Sequence, residues 1–147
     1  FNRHERRYSP PRWTPVIGID TNVLIRYLVQ DDPMQAQAAT QLIESTCTKD
    51  TPGLLNHLVL CETIWVLEGC YSQPKTTLMK TIEQILRVTQ LRVHEPLVVW
   101  QALEDYREHQ TNFSDHLLSR INRNRDCTTT MTFDRQASKS PVFTLLK

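Results

Sequence analysis

Four carboxylates stand where a carboxylate can do chemistry: Asp20, Glu62, Asp115 and Asp134. Asp20 closes the apolar run Val16-Ile17-Gly18-Ile19 and is followed by Thr21-Asn22. Asp134 closes Thr130-Met131-Thr132-Phe133 in the same manner and is followed by Arg135. Ligands of open α/β sheets bind beyond the carboxyl ends of the strands, and both acids fall there by sequence. Glu62 interrupts the apolar segment Leu58–Leu67. A lone acid there must face solvent, pair with an arginine or hold a cation, because burying it alone is costly. Asp115 falls in the first turn of a helical pattern, where Ser114-Asp115 can equally serve as a cap. His116, its neighbour, is expected at the surface, because successive helical residues point in different directions.

Acids held together repel one another, so a cluster of four requires a cation. An all-oxygen donor set favours Mg²⁺ or Mn²⁺ over zinc. Such an ion acidifies a bound water and neutralises charge developing on a phosphate, which points to phosphodiester hydrolysis without a covalent nucleophile. The histidines at 4, 57, 94, 109 and 116 form no HxxxH or HExxH spacing, and no Ser–His–Asp or Cys–His arrangement stands out. Cys47, Cys61, Cys70 and Cys127 show no CxxC spacing and read as reduced packing residues. With only Gly18, Gly53 and Gly69 in the chain, P-loop and dinucleotide-binding motifs are excluded.

The elements that must position these acids alternate between strand and helix. Strands are expected at Val16–Ile19, Gly53–Asn56, Leu91–His94, Thr128–Phe133 and Val142–Leu146. The first helix starts at Thr21 or Asn22, either of which can cap it. The second starts at Pro33 with Asp32 as its cap. Further helices are expected over Leu58–Tyr71, from Pro74, over Pro96–His109 and over Phe113–Arg123. Strands separated by helices predict βαβ units and a mostly parallel sheet.

A chain of 147 residues corresponds to one domain able to bury its own core. Residues 1–15 hold Arg3, Arg6, Arg7 and Arg12 with three prolines and no apolar period. They read as a flexible tail, with the globular pattern over 16–147. Since the chain opens on Phe, Val16 is one candidate for the original start. No apolar run approaches a membrane span and no signal peptide is apparent, so a cytoplasmic location is the expectation. The net charge of +1 says nothing about partners, but Arg120, Arg123, Arg125 and Arg135 cluster near the last two acids. They are either a solvated face or a rim that contacts phosphates.

Ile17-Gly18-Ile19-Asp20-Thr21-Asn22-Val23-Leu24-Ile25-Arg26-Tyr27-Leu28, followed by Asp31-Asp32-Pro33, resembles the opening of a PIN-domain protein of the VapC toxin type. Leu60–Leu67, Asn112–Leu118 and Thr130–Arg135 resemble the second, third and fourth acidic blocks of that family, and all four occur in order. The resemblance covers about residues 16–146. It implies a three-layer α/β/α PIN-like sandwich with a short, mostly parallel sheet. It implies an endoribonuclease dependent on Mg²⁺ or Mn²⁺, acting as the toxin of a toxin–antitoxin pair. The implied partners are an RNA substrate, a cognate VapB-like antitoxin and a second copy of the chain. Asp20, Glu62, Asp115 and Asp134 carry over as metal ligands and catalytic acids, with Thr21, Asn22, Asn112 and Thr132 as supporting residues. Arg123, Arg125 and Arg135 are the candidates for RNA contact. Many relatives carry a further acid where this chain has Asn112, so one tightly held ion is expected rather than two. A phosphohydrolase with an aspartyl nucleophile would want an acid at Asn22. The remaining alternative is a non-catalytic PIN-like binding module with a degenerate acidic site.

Overall fold

The computed structural model describes residues 16–147; the expected tail at 1–15 and its arginines lie outside the described residues. Six α-helices pack around short parallel strands in a mixed α/β sandwich. In chain order the elements are β1 (Ile17–Gly18), α1 (Thr21–Val29), α2 (Pro33–Gln41), β2 (Gly53–Leu55), α3 (His57–Gly69) and α4 (Lys75–Arg87). These are followed by β3 (Leu91–Val93), α5 (Pro96–Glu108), α6 (Phe113–Asn124), β4 (Thr130–Thr132) and β5 (Phe143–Leu145). A π-helical turn, Leu42–Thr46, extends α2, and a short 3₁₀ turn, Ala137–Lys139, separates β4 from β5.

Local chemistry accounts for most boundaries. Pro33 and Pro96 both sit in the first turn of their helices, where a missing N–H costs nothing. Asp32 caps α2 by accepting from the Gln35 N–H, and Asn56 caps α3 by accepting from the Val59 N–H. The cap of α1 corrects an expectation. Asp20 itself caps, in extended conformation, with its carboxylate accepting from the Thr21 N–H. The last strand-end residue is the one whose backbone is still extended, and that is what a cap requires.

Every strand is parallel to its neighbour, but the strands fall into two sheets, β1-β2-β3 and β4-β5, and each is shorter than its apolar run suggested. One buried cluster joins α1, β2, α3, α4, β3, α5 and α6 through residues such as Leu24, Leu55, Leu60, Leu67, Ile82 and Leu103. Neither β4 nor β5 contributes to that cluster. The second sheet is tied to the body by polar contacts, among them Asn122 donating to Thr130 Oγ1. β2 lies beside β1 in the first sheet, and a Cβ at Gly53 would lie 2.8 Å from Ile19 Cγ1 and 3.3 Å from Cys47 Sγ. Among the described residues no helix is long and apolar enough to cross a membrane.

Candidate acidic site

Asp20 ends the first strand and begins α1, so the partial positive charge of that helix terminus faces its carboxylate. Thr21, buried behind it, donates its hydroxyl to Glu62 Oε2 at 2.7 Å. This bond joins segments 41 residues apart and brings the first two acids to one place. Glu62 is exposed, on the side of α3 that looks away from the core residues Leu60, Thr63 and Ile64. Facing solvent beside α1, it has no arginine partner among the described ion pairs.

Asp115 is half-buried in the first turn of α6, and Thr111 donates to its Oδ2 at 2.9 Å. Asn112 occupies the cap position of that helix in extended conformation, yet its side chain makes no capping bond. Asp115's segment meets that of Glu62 across a cavity of about 240 Å³, lined by Cys61 from α3 and Ser114 from α6. Asp134 is exposed beyond β4. Its Oδ1 accepts from the N–H groups of Gln136 (2.8 Å) and Ala137 (3.3 Å), and its own N–H donates to Thr132 Oγ1. A long contact of 3.4 Å from Gln136 to Gln110 sets this turn against the residue preceding Thr111. The acids thus fall into two groups: Asp20 and Glu62 joined through Thr21, and Asp115 with Asp134, whose segments meet through the Gln136–Gln110 contact next to Thr111.

The donors suit a hard cation in kind, being all oxygen and largely open to solvent. They do not form a closed cage: among the described residues no three of Asp, Glu, His or Cys stand close enough together to hold one ion. Of the supporting residues, Thr21 and Thr132 make the bonds just given, while Asn22 is exposed beside a hollow between α1 and α2. Arg123 and Arg125 are exposed at the far end of α6, roughly 12–15 Å along the helix from Asp115 at ~1.5 Å per residue. Arg135 is exposed directly after Asp134. Arg120 is committed elsewhere, in a two-bond ion pair with Asp105 of α5 at 2.5 and 2.8 Å.

Two sequence expectations fail here. His116 is fully buried, not at the surface, and neither ring nitrogen has a hydrogen-bond partner. It shares the inward face of α6 with Phe113 and Leu117, and burial pushes its imidazole below the usual range. The cysteines are all free, but only Cys47 is buried; Cys61 is half-buried, and Cys70 and Cys127 are exposed, because they lie at or beyond helix ends. Burial raises the Cys61 thiol to about 11, which removes it as a nucleophile beside Glu62. Thr111 and Trp65 were missed by sequence reasoning. Thr111 precedes its helix and carries no periodic signal, whereas Trp65 was absorbed into an apolar run. No family model matches the chain, and no curated protein matches it.

Proposed function

We propose that the chain is a PIN-type endoribonuclease that hydrolyses RNA phosphodiesters with Mg²⁺ or Mn²⁺, the toxin of a toxin–antitoxin pair. The observation that carries the reading is the Thr21–Glu62 hydrogen bond. It aligns a strand-end acid with a helix acid across the whole first βα unit, and both belong to the sequence blocks that resemble the family. The sequence blocks assign Asp20, Glu62 and Asp115 to the ion, which when bound would acidify water and offset charge on the phosphate; of these the fold joins Asp20 and Glu62 through Thr21, and Asp115 stands apart from them. Thr21 orients Glu62, and Thr111 orients Asp115. Asp134 engages backbone donors through Oδ1, so Oδ2 is the atom left to orient the attacking water and receive its proton. Arg135 would steady a phosphate near the acids, and Arg123 and Arg125 one farther along the strand. A VapB-like antitoxin and a homodimer complete the proposal as the partners that the family blocks imply.

The open spacing of the acids favours one competing reading, a non-catalytic module with a degenerate site. Incubating the folded protein with a pool of single-stranded RNA in Mg²⁺ and in Mn²⁺ separates the two. Cleavage should appear with metal, cease with EDTA, and fall more than about 100-fold in Asp20→Asn, beyond the usual loss from a merely supporting residue. No cleavage in either metal, with folding verified by circular dichroism, would overturn the nuclease reading.

A further inference from the structure

We propose that the cavity between α3 and α6 is a subsite for one unstacked nucleobase of single-stranded RNA, with Trp65 as its stacking platform. The inference rests on the ribonuclease reading and specifies where the substrate's base goes. Trp65 is 75% exposed, an unusual state for the largest apolar side chain. It lies three residues after Glu62, so the two are neighbours on the surface of α3. The cavity of about 240 Å³ opens beside it. Gly69 leaves one end of that cavity clear, since a Cβ there would meet nothing within 4 Å.

The opposite wall, at the start of α6, carries two polar side chains. The Asn112 side chain sits at a helix cap without making the capping bond, and Ser114 and Phe113 line the cavity beside it, while Glu68 stands on Trp65's own wall. A carboxamide offers a donor and an acceptor side by side, the pattern that reads the edge of a base. One flat apolar wall facing a few edge-reading groups fits a planar heterocycle. Unpaired RNA bases are held in this way, stacked on aromatics and hydrogen-bonded along their edges. Two further lining residues, Cys61 and Ser114, immediately precede Glu62 and Asp115 in the chain. Glu62 adjoins Trp65 on α3, so a base stacked on Trp65 leaves its phosphates beside that acid.

The test reads binding separately from cleavage. In the full chain carrying Trp13→Phe and Trp100→Phe, Trp65 is the remaining indole. A single-stranded RNA octamer added in EDTA should quench its fluorescence. Trp65→Ala should weaken octamer binding roughly 5- to 150-fold, the range of one base–aromatic stack, and Trp65→Phe should retain most of the affinity. Gly69→Leu adds bulk at the rim of the cavity, where a Cβ meets nothing within 4 Å, and should weaken binding similarly, with folding verified by circular dichroism. An abasic nucleotide at a single position should cost wild type the same factor and Trp65→Ala nothing further. Quenching without metal-dependent cleavage leaves the subsite standing and removes the nuclease reading. Cleavage that is equal in wild type, Trp65→Ala and Gly69→Leu, without quenching, removes the subsite and keeps the nuclease. Unchanged RNA affinity in Trp65→Ala combined with an altered oligomeric state would assign the surface to a protein partner and overturn the proposal.

Discussion

Thr21 carries no charge, yet it sets the direction of Glu62. Thr21→Val keeps the buried volume and removes the 2.7 Å bond. Cleavage or Mn²⁺ affinity is expected to fall about 10- to 100-fold, the usual cost of losing a residue that orients a ligand, and Thr21→Ser should restore most of it. Calorimetric metal titration on the two variants checks this. A second prediction concerns His116. Burial, its largest influence, lowers the imidazole below the ordinary histidine value of about 6.5; Asp105 and Asp115 oppose that shift, while His109 and Lys75 reinforce it. As pH falls below 6.5, the unfolded chain gains a proton that the folded chain refuses. Stability from this group is therefore full above 6.5 and declines below it, by at most ~1.4 kcal/mol per pH unit, until the lowered folded value is reached. Denaturant melts of metal-free protein between pH 7.5 and 5 should show the decline, reduced in His116→Phe. Asp20 and Asp134 were legible because an apolar run that stops at an acid marks a strand end. His116 was not, because its neighbour Asp115 argued for the surface while its i+3 relation to Phe113 argued for the core. The core relation prevails, since burying Phe113 and Leu117 carries the residue between them inward.

At the scale of elements, helices were readable and strands only partly. Pro33, Asp32 and Pro96 act as read, because caps and first-turn prolines are local chemistry. The cap of α1 shifted by one residue to Asp20. The strands are short, and their division into two sheets was not legible at all. Which strand lies beside which depends on contacts distant in sequence, and an apolar run carries no record of its partner. The closest of those contacts lies under Gly53. Gly53→Ala would press a Cβ to 2.8 Å from Ile19 Cγ1. The Ile19 side chain, next to Asp20 in the chain, must then give way. A loss of ~1–3 kcal/mol is expected, as for other overpacked interiors. Urea denaturation measures it, and cleavage should fall beyond what the loss of folded protein explains.

On the scale of the whole molecule, an ion that binds only the folded chain must stabilise it. At a hundred times its dissociation constant, Mn²⁺ should add ~2.7 kcal/mol. In a domain of this size that raises the melting temperature by several degrees. EDTA should reverse the rise and Asp20→Asn should abolish it; differential scanning fluorimetry is sufficient, and an unmoved wild-type melt would count against the metal site. The threonine bridge has one more consequence, which concerns time. Thr21 and Glu62 are 41 residues apart in the chain. No local helix formation assembles the Thr21–Glu62 bridge. Contacts of such long sequence separation close late, because loop-closure entropy must be met first. The Thr21–Glu62 bridge is therefore expected to form together with the packing of α1 on α3.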